Sequence, residues 1–91
     1  MRPAPIQGGG LRGPGTVPEG FGGEVEVEAP AGTDEVLVTD PATGAAVTAP
    51  VGADGVARFP LPPGSRGGTV LIVIDRRRPW LSTLIEIVGA D

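Results

Sequence analysis

Glu24-Val25-Glu26-Val27-Glu28 alternates acid with valine over five consecutive residues. Extended chain turns that alternation into two faces, because successive side chains of a strand point to opposite sides. Val25 and Val27 are expected inside and the three glutamates outside. Three like charges on one face discourage pairing with another chain, which suits a strand at a sheet edge. Downstream, Ala29-Pro30-Ala31-Gly32-Thr33 reads as a turn, and Glu35-Val36-Leu37-Val38-Thr39 as the second strand. In Asp40-Pro41-Ala42-Thr43-Gly44 the aspartate caps a turn, the proline presets φ and the glycine accepts a positive φ. Residues 45–51 form a weaker third strand, and Pro50 within it marks an edge or a bulge. Gly52-Ala53-Asp54-Gly55 signals a hairpin, since Asp-Gly suits the positive φ angles of a tight turn.

Beyond the hairpin, residues 56–61 make a fourth strand with Ala57, Phe59 and Leu61 on one face. A Gly/Pro-rich loop leads to residues 69–74, which are apolar on both faces and read as a central strand, buried on both sides or covered outside. Residues 80–88 make the last strand, with Leu81, Ile85 and Ile87 on one face and Trp80, Leu84 and Val88 on the other. No segment holds a sustained helical period. Six short strands at roughly ten-residue spacing predict an all-β fold, a small antiparallel β-sandwich or barrel.

The first 23 residues differ in kind. Twelve of them are Gly or Pro, and Ile6, Leu11 and Val17 stand isolated among them. Such a stretch is expected to form an extended N-terminal arm over residues 1–23, followed by the β-sandwich domain over residues 24–91. Charge divides at the same place. The arm carries Arg2, Arg12 and Glu19, whereas the body carries five arginines against ten acids within an overall net charge of −4. An acidic body disfavours nucleic acid, whose binding begins with phosphate neutralisation. The longest apolar run, Val70 to Ile74, is too short to span a bilayer, so no membrane partner is expected. No apolar stretch of signal-peptide length appears in residues 1–23, which favours an intracellular or virion-borne protein.

Candidate chemistry is sparse. The chain contains no Cys, His, Lys, Tyr or Asn. Disulfides, thiolate sites and the commonest general base are therefore excluded. Ser65, Ser82, the threonines and the carboxylates remain, and none has a recognisable activating partner in the sequence. Neither enzymatic activity nor a cofactor or metal is expected. Asp54-Gly55 lacks the further acids of a calcium loop, and Gly8-Gly9-Gly10 lacks the lysine and preceding strand of a phosphate loop. Arg76-Arg77-Arg78, flanked by Asp75, reads as a solvated loop before it reads as a binding patch. Trp80 reads first as a core residue capping a thin sandwich and second as an interface anchor. Together with Leu84 and Val88 it exceeds what a small monomer leaves exposed, so the arm or another subunit is expected over that face.

The stretch Val38-Thr39-Asp40-Pro41-Ala42-Thr43-Gly44, then Gly52-Ala53-Asp54-Gly55-Val56-Ala57-Arg58-Phe59, then Leu61-Pro62-Pro63-Gly64 resembles bacterial immunoglobulin-like and carboxypeptidase-regulatory-like β-sandwich modules. The resemblance covers about half the chain and rests on turn motifs, and it implies a non-catalytic spacer, adhesion or appendage role. In organisation, with an arm before one small domain, the chain resembles a viral capsid decoration protein. That implies a phage virion component that binds a shell subunit such as the major capsid protein. Arg2, Ile6, Leu11, Arg12, Val17 and Trp80 are the partner-binding residues expected on this reading, with homo-oligomerisation as a further expectation. The alternative is a binding or spacer module of a bacterial protein, cytoplasmic or at the cell surface.

Overall fold

The valine–glutamate alternation becomes a strand with both valines buried and Glu26 and Glu28 exposed. It is one of seven strands in the computed structural model, which describes residues 10–89: β1 (Thr16–Pro18), β2 (Val25–Glu28), β3 (Glu35–Thr39), β4 (Ala46–Pro50), β5 (Val56–Phe59), β6 (Val70–Asp75) and β7 (Ser82–Val88). There is no helix among the described residues. A five-stranded sheet has the order β1-β7-β6-β3-β4, and a two-stranded sheet pairs β2 with β5. Their inward side chains form one core. Val25, Val27, Ala57 and Phe59 come from the smaller sheet, and Val36, Val38, Ala49, Leu71, Val73, Ile85 and Ile87 from the larger. The all-β expectation therefore holds, in a sandwich-like arrangement of two sheets.

Pairing is antiparallel throughout except between β1 and β7, which run parallel with Val17 opposite Ile87. β4 is an edge strand, as Pro50 implied, and that proline also marks where the chain changes sheets. Pro50 ends the ladder with Glu35, while Val51 bridges to Ala57 in the other sheet. The turn that follows uses one positive φ. Gly55 sits at φ 80°, Ala53 and Asp54 keep negative φ, and the Gly55 N–H donates to the Gly52 carbonyl at 2.9 Å. This is a three-residue hairpin loop ending in a left-handed glycine. The Asp54 carboxylate steadies it by accepting the Val56 N–H at 3.1 Å.

The expected arm is in part a piece of the fold. Leu11 and Val17 are 1% and 4% exposed and belong to the core. The Arg12 N–H donates to the Glu28 carbonyl at 3.0 Å and the Glu28 N–H to the Arg12 carbonyl at 2.8 Å, so this segment first lies along the edge of β2. It then crosses to the larger sheet, where the Glu86 N–H donates to the Gly15 carbonyl at 2.8 Å. At the crossing, a Cβ on Gly13 would stand 3.4 Å from Ile85 and 3.5 Å from Val27, one side chain from each sheet. Leu11 and Val17 look isolated in sequence because their six-residue spacing spans a bend, so no single period links them. The boundary between residues 23 and 24 is thus not the edge of the packed structure. Arg2 and Ile6 lie outside the described residues.

The central-strand reading of β6 also needs correction on one point. β6 does lie between β7 and β3, but Val70 and Ile72 remain 38% exposed on its outer face.

Removing residues 1–20 is expected to abolish the folded state, because β1 and two core side chains leave together. The milder Leu11→Ala should cost about 2–4 kcal/mol and lower Tm by roughly 10 °C or more. Thermal melts followed by circular dichroism check both, and an unchanged melt for Leu11→Ala would place that side chain outside the core.

Candidate functional site

Strand alternation sends every second residue of the larger sheet outward, and the outward set is unusually apolar. Registers place Ile72 beside Leu84 and Thr39, Ile74 beside Leu37 and Ser82, and Val70 beside Glu86. Pro18 lies beside Val88 at one end. Leu84 is 59% exposed, and Val70, Ile72 and Val88 are also exposed. Glu86 and Glu35 are the charged side chains that share this face, and Glu35 is drawn to the rim by Arg76 at 2.9 Å. The outer face of the smaller sheet is opposite in character. Glu26 pairs with Arg58 at 3.3 Å, and Arg58 reaches Asp54 at 2.8 Å. The Arg58 hydrogen bond, helped by the Val56 N–H, holds the Asp54 carboxyl below the usual carboxylate range.

Trp80 is 71% exposed in the turn that leads into β7, so it is not the core residue first expected. The reason is positional: the core-facing side chains of the strand begin after it, with Ile85 and Ile87. Of the other expected contact residues, Leu11 and Val17 are buried and present no surface, while Arg12 is exposed and tied to Glu28 through its backbone. Val70 and Ile72 are surface residues, although the apolar run of residues 69–74 predicts a covered outer face for that strand. Their signal was present in the unbroken apolar run of β6.

The three arginines after β6 form a tie. Arg76 pairs with Glu35, Arg77 approaches Asp34 at 3.7 Å, and Arg78 binds Asp75 at 3.0 Å. Asp75 is buried at the end of β6 and accepts four hydrogen bonds. These come from the Thr33 hydroxyl at 2.8 Å, the Arg78 Nε at 3.0 Å, and the Arg77 and Arg78 backbone N–H groups at 2.8 and 3.2 Å. Burial alone raises the carboxyl, but the bonds from Thr33, Arg77 and Arg78 outweigh it and hold it at about 2. Asp75 is therefore a fixed anion at neutral pH and not a proton donor. Asp40 is fully buried at the opposite end of the sheet, where β3 turns into β4. Its Oδ1 accepts the Ala42 N–H at 2.9 Å, and its Oδ2 has no partner among the described residues. The Ser65 hydroxyl donates to the Pro62 carbonyl at 2.6 Å, which gives it a loop-closing contact.

Among the described residues there is no cluster of three or more acidic side chains placed to hold a metal ion, and no helix long and apolar enough to cross a membrane. Compared with protein-family models, curated proteins and solved structures, the chain matches none.

Because the folded pKa of Asp75 lies below its unfolded value, its contribution is fully present above about pH 4 and is lost as pH falls through about 2. The contribution is on the order of 2 kcal/mol. Asp75→Asn is expected to lower Tm at pH 6 and to show a smaller further drop between pH 5 and pH 2 than the unchanged chain. Melts across that range check it, and equal acid losses in both proteins would remove Asp75 from the response.

Proposed function

We propose that the chain is a non-catalytic, immunoglobulin-like structural module that docks on a larger protein assembly through the outer face of its five-stranded sheet. The assembly we propose is a phage shell, which makes the protein a decoration or accessory component of the virion. The carrying observation is the exposed apolar field of Val70, Ile72, Leu84 and Val88, with polar residues around it. A contiguous apolar surface with a polar rim is the mark of a protein-binding face. Strand order supports the fold part of the reading. On an immunoglobulin-like assignment, the pair β2-β5 would correspond to strands B and E, and the neighbours β3, β6 and β7 to strands C, F and G. Small size, an acidic body and the Gly/Pro-rich N-terminal stretch support the decoration reading by organisation. Residues 11–18 are unavailable as a clamp, since the sheets already hold them.

The same strand order favours one alternative, a binding or spacer module within a bacterial assembly. Ile72→Glu and Leu84→Glu separate the readings from mere structural damage. Both side chains point outward, so each variant is expected to keep its Tm within about 1 kcal/mol equivalent of the unchanged chain. Each should weaken binding to purified shells at least tenfold in a sedimentation assay. Absence of binding by the unchanged chain rejects the virion reading. Full binding by both variants rejects the outer face as the docking surface.

A further inference from the structure

The way residues 12–18 cross between sheets leaves part of the β2 edge unoccupied. Glu28 exchanges both backbone hydrogen bonds with Arg12. Glu26 lies two residues earlier, so its N–H and C=O point the same way, while those of Val25 and Val27 point toward β5. Pro14 would lie opposite Glu26, but proline has no N–H, and the chain has already turned toward β7. The backbone groups of Glu26, and of Glu24 before it, therefore face a side where no described residue pairs with them. Across the gap, β1 directs its Val17 groups into the ladder with β7, and Thr16 faces outward.

Between these two edges runs a trough of about 690 Å³. Pro14, Val17, Pro18, Phe21, Val25 and Val56 supply its apolar lining, Glu24, Glu26 and Glu28 line its β2 side, and Arg12 closes it at the Glu28 end. Glu26 is partly neutralised by Arg58 and Glu28 lies opposite Arg12, whereas Glu24 has no cationic partner among the described residues.

We propose that this edge is a strand-addition site for an extended basic segment of a partner protein, one that alternates Arg or Lys with small apolar residues. The alternation follows from β2 itself. A strand added beside Glu24-Val25-Glu26 puts the residues opposite the glutamates on the same outer face, where cations pair with them. The residues between them turn inward, beside Val25, over the apolar trough. The glutamates that favour this ligand repel a second copy of β2, so the charge pattern selects a partner rather than self-association. Only Glu26 of β2 and Glu24 just before it offer free groups, which limits the ligand to about four to six residues and the affinity to a modest value.

The test is a 15N–1H titration of the full chain with a capped Arg-Val-Arg-Val-Arg peptide. Two control peptides accompany it: Glu-Val-Glu-Val-Glu, and the arginine peptide methylated on the backbone nitrogens that face the edge. Saturable shifts are expected at Thr16, Glu24 and Glu26, with none from the acidic peptide. Methylation should weaken binding at least tenfold, and Glu24→Lys at least fivefold. Glu26→Lys serves as a second variant, its melt confirming the fold. No saturable shift, shifts confined to other surfaces, or equal affinity for the methylated peptide would overturn the proposal, the last by reducing it to diffuse charge attraction.

Discussion

One short segment is hydrogen-bonded to both sheets, and the closed core depends on it. Arg12 pairs with the edge of β2, and β1 pairs with the edge of β7 a few residues later. Between the two contacts the chain passes over Val27 and Ile85, at a point where glycine leaves room for the approach. Leu11 and Val17 drop into the core on either side of that crossing. Each buried side chain of this size contributes roughly 1.5–3 kcal/mol. A domain of this length has little stability to spare, so losses of that order are decisive. With no cysteine in the chain, no disulfide can take over the closure.

Polar contacts supply a second tie at the end of β6. The loop after β6 is fastened to residues 31–35 through Asp75, Thr33 and Arg78, with Arg76 and Arg77 reaching Glu35 and Asp34. The exposed pairs contribute little individually, but Asp75 is buried and fully engaged. Leaving it with fewer partners would strand a desolvated charge. The tie orders the turn that carries Trp80, since the Leu81 N–H donates to the Arg78 carbonyl and the Asp75 N–H to the Leu81 carbonyl. A large aromatic side chain is thereby carried in solvent by a hydrogen-bonded turn instead of folding back on its own sheet.

Much of this was legible in the sequence. β2 and β3 were marked by their alternation, the 52–55 turn by Asp-Gly, the edge position of β4 by Pro50, and the two faces of β7 by their spacing. What was not legible depends on distant pairing. β1 is three residues long, ends in proline and is flanked by glycine, so no local pattern distinguishes it from a linker. Its strand character comes from a parallel partner some seventy positions away. The outer face of β6 was misjudged because an apolar run states affinity for burial and not whether anything covers it. The β2 edge escaped notice for a related reason. Whether a backbone group is paired depends on where a neighbouring segment turns away, and here that is decided by Pro14 and the crossing.

The molecule thus presents two surfaces of unlike chemistry. The outer face of the large sheet offers apolar area with little charge, and the β2 edge offers backbone groups among glutamates. Association through the first should be driven by burial and be little affected by salt. Association through the second should weaken as ionic strength rises, because its charges are exposed and screened. Both surfaces follow from one economy of construction. Among the described residues, the two strands outside the larger sheet lie on its inner side, and none covers its outer side. The segment that reaches both sheets runs along β7 but touches β2 only at Glu28, so the rest of that edge is not completed by it. The features that close the core are therefore the same features that leave these two surfaces open among the described residues.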